Sequence, residues 1–567
     1  MKSFFLSIII FTFQISLFAS NGRYRLILTD NPATTIMIGW DQISGENPTV
    51  YYGTIDNETD WSAYAFSKEI DRLIDFKGMQ NTFAKLSNLT PETNYYFVIK
   101  DSESVSERFW FKTAPNTNKK LSFIAGGDSR NNRIPRQNAN KLVSKIKPTA
   151  IFFGGDMTSG DSDNEWREWL DDWQLTTATD GRMFPILPAR GNHEFSNNSI
   201  YNLFNTASPK AYYAISFGKN LYTLYTLNSE IPCGGYQYQW LKKDLEKNNS
   251  IWKSAQYHKP MRPHVSGKPE GNDEYQNWAT LFYNQQVRLI FESDSHDVKT
   301  TWPIRPCLTR INCEEGFIRD DANGSVYVGE GGWGAPLRTS DDAKTWTRDS
   351  GSFNQFKWIC VSENQIIVKT VVIENPIGVN ENNNDSICEL PEGLNIWKPS
   401  NGEAVIINKN ESDTPKLKIT SPKDGEFFFD GSEIDINIDY STIDAPINSI
   451  AYKVDHTLIG LVESAPYNMT YNFNEGLHKI EAIAIYPEGL YYKDSIQITV
   501  ATCSDKLINR VVNEDVEESE DGFIYKTSSD LELVYDSYNS QGNQVIGLHF
   551  DITRKNIIKF VISLVVL

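Results

Sequence analysis

A chain of 567 residues is too long for one hydrophobic core, so three or four domains are expected. With 54 Lys and Arg against 73 Asp and Glu, the formal net charge is -19. That balance excludes a nucleic-acid-coating protein, whose affinity would rest on clustered basic side chains, and suits solubility instead.

The first predicted element is a leader. Met1-Lys2, an apolar stretch from Phe4 to Phe18 and the small residues Ala19-Ser20 read as a secretory signal peptide over residues 1–20. The stretch is short for a bilayer span, and the rest of the chain has no convincing transmembrane segment. An exported protein is expected, whether secreted, periplasmic or at the cell surface. The six cysteines are an even number, which suits disulfides in that setting. Cys307 with Cys313 would close a small loop, and Cys360 with Cys388 is a second candidate pair.

Residues 22–112 carry strand-like runs at Thr35–Trp40, Tyr95–Ile99 and Phe109–Phe111 and read as a β-sandwich. A polar linker follows from Thr113 to Lys120. The next region, residues 121–412, alternates buried-strand runs (Leu121–Ala125, Ala150–Phe153, Phe184–Leu187, Val287–Phe291) with helical spacing at Arg136–Lys145 and Glu165–Trp173. This predicts a layered α/β domain.

Polar clusters follow or lie near these runs: Gly127-Asp128-Ser129, Gly155-Asp156, Gly191-Asn192-His193-Glu194, Tyr257-His258 and Ser293-Asp294-Ser295-His296. Short apolar runs that end in Gly-Asp put polar groups at strand C-termini, where α/β folds place their sites. Three of the four histidines between residues 121 and 340 fall inside the clusters, and the fourth, His264, follows closely. Carboxylate, amide and imidazole groups in this order are those that hold two metal ions side by side, so the region reads as a metal-dependent phosphate-ester hydrolase. The glycine-rich run Gly329–Pro336 is either a wall of the pocket or a structural turn. Beyond the Asn-rich loop Asn380–Asp385, short alternating strands from Pro415 to Val500 predict another β module. Residues 503–567 read as an incomplete β module.

These clusters resemble the calcineurin-like metallophosphoesterase superfamily, and more narrowly the purple acid phosphatases, over most of residues 22–375. The family pattern is G-D-x, G-D-x-x-Y, G-N-H-E/D, x-x-H and G-H-x-H. The resemblance implies a four-layer α/β β-sandwich catalytic domain flanked by all-β sandwich modules. The module before it resembles a fibronectin-III-like domain, including Leu89-Thr90-Pro91-Glu92-Thr93, and the one after it resembles a bacterial Ig-like domain.

Carried over by residue, the resemblance implies that Asp128 and His296 hold a first metal and Asn192 and His258 a second, with Asp156 bridging them. His193 would contact the phosphate or the attacking hydroxide, and His264 would protonate the leaving group. Apart from the resemblance, Arg130, Arg190 and Arg262 each lie next to a cluster, and some of them are expected to make forked contacts to phosphate oxygens. Two positions depart from the pattern. Ser159 stands where the tyrosine ligand belongs, so no iron–tyrosinate colour is expected. Ser293 and Asp294 replace the Gly and first His of the last motif, and Asp294 offers the second metal an oxygen ligand instead. Fe, Mn, Zn or Mg all suit such a set.

The expected function is an exported binuclear phosphatase that hydrolyses phosphomonoesters through a metal-bound hydroxide. A phosphodiesterase of the same superfamily and a non-catalytic adhesin or glycan-binding protein, with cell-surface contact through the Ig-like module, are the alternatives.

Overall fold

The computed structural model describes residues 20–307, 313–409, 417–429, 431–440, 447–485 and 491–501, with short strand pieces beyond. The leader expected over residues 1–20 lies almost entirely outside these residues, as does most of the stretch 503–567. The chain divides into two units, one holding most of the residues up to 416 and the other most of those from 417 onward.

In the first unit the N-terminal strands are β1 (Asn21–Ile27), β2 (Ile36–Gln42), β3 (Thr49–Gly53), β4 (Phe66–Glu69), β5 (Arg72–Phe76), β6 (Met79–Leu86), β7 (Asn94–Lys100) and β8 (Phe109–Lys112). They form two sheets. One is closed in the order β4-β3-β7-β8, whereas the other continues into the domain that follows. That domain opens with β9 (Leu121–Gly126), α1 (Arg133–Ile146), β10 (Ala150–Phe153), α2 (Asp163–Trp173), β11 (Pro185–Pro188) and α3 (Asn197–Phe204). Next come β12 (Tyr213–Phe217), β13 (Tyr222–Thr226), α4 (Gly235–Lys247), β14 (Trp252–Gln256), β15 (Val287–Phe291), β16 (Val298–Thr301), β17 (Ile304–Pro306) and β18 (Phe317–Arg319). The unit closes with β19 (Val326–Gly329), β20 (Thr347–Gly351), β21 (Gln355–Val361), β22 (Gln365–Val372) and β23 (Ala404–Asn408).

Ten strands make one sheet, in the order β23-β22-β21-β9-β10-β11-β1-β2-β6-β5. Seven make the second, in the order β12-β13-β14-β15-β19-β16-β20. Alternation along the central strands explains why they stack. Phe123, Phe152 and Leu187 of the first sheet meet Tyr222, Leu224 and Phe291 of the second in one core, with Phe123 and Phe152 ring centres 4.7 Å apart. The intervening residues Ile124, Ile151, Phe153 and Ile186 point outward against Leu142 and Val143 of α1 and Trp166, Trp169 and Leu170 of α2. On the far side, Tyr225, Ala255 and Ile290 of the second sheet pack against Leu241 and Leu245 of α4. The layers run helix, sheet, sheet, helix, as a metallophosphoesterase fold requires.

Helix α2 starts where Ser162 accepts from the Glu165 N–H and Glu165 returns a bond to the Ser162 N–H, a reciprocal cap that satisfies two terminal donors. Its Trp166, Trp169, Leu170 and Trp173 are buried, at the spacing of one helical face.

Residues 22–112 share a sheet with the domain that follows, because β1 pairs in parallel with β11, Leu26 opposite Pro185 and Ile27 opposite Ile186. The fully buried Arg25 seals the junction by donating to the Leu203 carbonyl at 2.6 Å and to Asn81 Oδ1 at 2.7 Å. Both disulfides expected from the sequence are present, Cys307–Cys313 and Cys360–Cys388. Among the described residues, no helix is long and apolar enough to cross a membrane.

The second unit holds an all-β Ig-like domain made of a three-stranded and a five-stranded sheet between Lys418 and Ala501. Its strand Glu433–Asp439 buries Ile434, Ile436 and Ile438 on alternate positions, the period of a half-covered sheet.

Candidate metal centre

Parallel strands converge on one edge of the two stacked sheets, and the polar clusters leave from their C-terminal ends. Asp128 follows β9, Asp156 follows β10, Asn192 and His193 follow β11, His258 follows β14, and Asp294 and His296 follow β15. β9, β10 and β11 run parallel in the first sheet, as do β14 and β15 in the second. Parallel pairing therefore delivers every loop to the same end.

Ligand atoms of Asp128, Asp156 and His258, all buried, lie within 4.8 Å of one another. His258 Nε2 is 3.2 Å from Asp156 Oδ1 and 3.0 Å from Asn192 Oδ1. His296 Nε2 is 3.2 Å from Asp128 Oδ1. Each imidazole is oriented from behind: Nδ1 of His258 bonds the Gly154 carbonyl at 2.8 Å and Nδ1 of His296 the Pro336 carbonyl at 2.9 Å. A carbonyl only accepts, so Nδ1 of each ring carries a proton and Nε2 is the atom turned to the centre, where a metal would take its lone pair.

The donor set fits a metal on a further ground. Asp128 Oδ1 and His296 Nε2 are buried with no hydrogen-bond partner, which is costly unless a cation completes them. Burial works against charge on Asp156, yet His258 and then His193 hold its carboxyl well below the usual carboxylate range. A bare carboxylate facing these imidazoles is ready to accept a cation.

The backbone is also bent to this task. Asp128, Arg130, Asp156, Asp294 and His296 all have left-handed φ, between 45° and 68°, at about 1–3 kcal/mol each for residues with a Cβ. The glycine run after β19 walls the centre. Gly331, at φ +87°, packs so closely on the Asp128 carboxylate that a Cβ would overlap it. The N–H groups of Gly334 and Ala335 bond the Asp128 carbonyl at 3.1 and 2.7 Å.

The expected phosphate contacts divide. Arg130 reaches the centre, its Nη2 3.2 Å from Asp156 Oδ2. His193 Nε2 stands 3.8 Å from the same oxygen, and its Nδ1 bonds the Ser159 carbonyl. Ser159 thus contributes its backbone where the family pattern would supply a phenolate. Arg190 instead bonds the Glu194 carbonyl at 2.9 Å and Asn197 Oδ1 at 2.8 Å, holding its own loop. Arg262 is turned onto the Glu315 carbonyl at 2.7 Å and over the Tyr275 ring. His264 is buried and bonded to Thr347 Oγ1 at 2.6 Å, with its pKa pushed down to about 2 by burial and by Lys299 and Lys344. A ring held neutral in this way keeps a single N–H, which is the only proton it could offer.

Three residues without an expected role prove structural to the centre. Glu194, fully buried, accepts from the N–H groups of Asp156, Met157 and Gly191 at 3.0, 2.8 and 2.7 Å, tying the β10 and β11 loops together. Lys299 lies in a buried ion pair with Glu292 at 2.6 Å and with Glu330, beneath the His258 loop. Lys268 stands 2.6 Å from Asp294 Oδ1, and that oxygen is 3.7 Å from His258 Nε2. Glu194 belongs to the Gly191–Glu194 run, so its position was visible in the sequence. Nothing local marks Lys268 or Lys299.

Comparison with known proteins agrees with this geometry. Residues 22–113 match the family described as Purple acid Phosphatase, N-terminal domain, residues 126–298 match Calcineurin-like phosphoesterase, and residues 415–482 match Bacterial Ig domain. A probable purple acid phosphatase 20 of Arabidopsis thaliana is 24% identical over 281 residues, which span 46% of this chain and 64% of that protein. An uncharacterized protein of Mycobacterium tuberculosis is 24% identical over 384 residues, spanning 56% of this chain and 70% of its own length. Among solved structures, purple acid phosphatase PPD1 from yellow lupin (Lupinus luteus) seeds superposes with a TM-score of 0.54 at 13% identity, over 69% of this chain and 74% of that one. PhoD superposes with a TM-score of 0.50 at 11% identity, over 68% and 90%. Both share the fold. Residues 126–298 thus form a calcineurin-like phosphoesterase domain, and over this domain and the N-terminal one the chain is similar to the purple acid phosphatases.

Proposed function

We propose that the protein is an exported phosphatase that hydrolyses phosphomonoesters at a two-metal centre. The convergence of Asp128, Asp156 and His258 ligand atoms within 4.8 Å carries this reading. Asp128 and His296 would hold a first cation and Asn192 and His258 a second, with Asp156 shared and Asp294 facing the second from its groove side. Two cations there would supply Lewis-acid charge for phosphoryl oxygens and lower the pKa of water between them. Mn, Zn, Mg and Fe all suit the set, iron in its ferrous state, since Ser159 provides no phenolate for a ferric ion.

The remaining work falls to the chain. Arg130 presents a guanidinium at the Asp156 edge of the centre, where forked N–H donors orient phosphoryl oxygens. His193, half-buried with Nε2 toward Asp156, is placed to hold or deliver a proton at the leaving-group oxygen. Glu194 keeps the Asp156 and Gly191 backbones fixed relative to one another, so the shared carboxylate does not drift when charge develops.

The test is metal analysis of the purified full chain with paired chromogenic mono- and diester substrates. The wild type is expected to carry about two metals and to favour the monoester. Asp156→Ala is expected to lose roughly one mole of metal and nearly all turnover, since a shared carboxylate has no substitute in water. Near-native metal content and rate in that variant would overturn the two-metal assignment.

A further inference from the structure

Asp294 places a carboxylate where the family pattern has a neutral imidazole, which adds a negative charge to a site that must admit a phosphate dianion. The structure supplies the opposite charge from a separate loop. Lys268 Nζ is 2.6 Å from Asp294 Oδ1, and the lysine side chain is 16% exposed. Its loop is tied down, with the Lys268 N–H on the Val265 carbonyl at 2.9 Å. Ser266 bonds Asp341 through its N–H and its Oγ, at 2.9 and 3.0 Å. An ammonium held this way is a fixed fitting of the centre, not a mobile surface charge.

Contacts then run in an unbroken series: Arg130 to Asp156 at 3.2 Å, Asp156 to His258 at 3.2 Å, His258 to Asp294 at 3.7 Å and Asp294 to Lys268 at 2.6 Å. A cation stands at each end of the cluster of candidate ligands. Asp294 also borders a groove of about 500 Å³ whose wall carries Glu230, Glu270, Asp273 and Glu274 with Lys259, so on that side of the centre the cation beside Asp294 offsets an acidic surface. An ammonium has three donors. With one spent on Asp294, the others remain for a ligand.

We propose that Lys268 is a substrate-contacting residue: its ammonium, anchored on Asp294, donates to the phosphoryl oxygens of the bound ester, so that Arg130 and Lys268 grip the group from the two ends of the ligand cluster. The inference rests on the phosphoesterase reading above and adds a specific oxyanion contact to it.

The test uses the full-length, metal-loaded protein and its Lys268→Met and Lys268→Arg variants. Calorimetry measures binding of inorganic phosphate, competition gives its inhibition constant against a chromogenic monoester, and mass spectrometry gives metal content. Lys268→Met is expected to keep its metal but bind phosphate roughly ten- to hundredfold more weakly, the loss of one charge-assisted hydrogen bond. Lys268→Arg should recover most of that affinity. Unchanged phosphate affinity in Lys268→Met overturns the proposal, as does a loss that tracks missing metal and is not rescued by arginine. If the wild type, fully metal-loaded, neither binds phosphate nor hydrolyses the monoester, the phosphoesterase reading fails first and takes this inference with it.

Discussion

At the scale of one residue, His264 carries a pH dependence of its own. It follows His258 by six positions, but Pro260 and Pro263 turn the segment, and the ring ends against Trp346. Burial, then Lys299 and Lys344, push its pKa down to about 2, against about 6.5 for an unfolded histidine. The unfolded chain therefore takes up a proton that the folded one refuses. His264 costs nothing above about pH 6.5, and its presence destabilises the fold progressively as pH falls from there toward 2. His264→Gln is expected to recover on the order of 2 kcal/mol of that acid-side loss near pH 4.5 while keeping most turnover. Denaturant midpoints at pH 7 and pH 4.5 check it, and the same pH dependence in both proteins would show that the histidine is not the titrating group. Asp128, Asp156 and Asn192 were legible as strand-end residues, because a Gly-Asp or Gly-Asn run after an apolar strand leaves little freedom in where it sits. The sequence did not reveal the direction of Arg190 and Arg262, whose partners are backbone carbonyls on Glu194 and Glu315. Spacing carries no mark of such bonds.

At the scale of elements, α1 and α2 form a clamp that reaches the centre. The Asp172 carboxylate on α2 accepts from Arg133 at 2.7 Å, Gln137 at 2.7 Å and Arg136 at 2.5 Å, all on α1. Arg136 in turn donates to the Arg130 carbonyl, and Trp169 Nε1 bonds Ser129 Oγ at 2.9 Å. The loop that carries Asp128 and Arg130 is thereby braced by both helices. Asp172→Ala removes the nearer carboxylate of the buried Arg136, leaving Glu168 at 3.7 Å, and is expected to cost about 3 kcal/mol of stability, read from a denaturant midpoint. It should also raise KM for a phosphomonoester, because Arg130 loses its brace. A stability loss with KM unchanged would separate the clamp from the site. Both helices were legible from apolar periodicity, but each begins two or three residues before the predicted Arg136 and Glu165. For α2 the Ser162 and Glu165 cap explains the earlier start. In α1, Pro135 sits within the first turn, where its missing N–H does no harm.

Over the whole molecule, the N-terminal strands and the phosphoesterase domain are one folding unit. A single core joins Trp40, Phe97 and Phe111 to Phe123, Phe152 and Leu187, and β1 supplies the neighbour that β11 needs. A chain beginning at Lys120 is therefore expected to be insoluble or to lose its cooperative thermal transition, because β11 would present a bare apolar edge. A soluble truncated protein with near-native turnover would refute this. The dependence was not legible in the sequence, since parallel pairing between distant strands has no local signature, unlike the turn chemistry of a hairpin. The same pairing sets a timetable for biosynthesis. Leu26 meets Pro185 only after about 160 further residues have been added, which at ribosomal rates is a wait of roughly ten to thirty seconds. Through that interval the nascent chain carries a strand whose partner β11 does not yet exist, so a holding chaperone at the ribosome should set the yield of native protein more than the stability of the finished fold does.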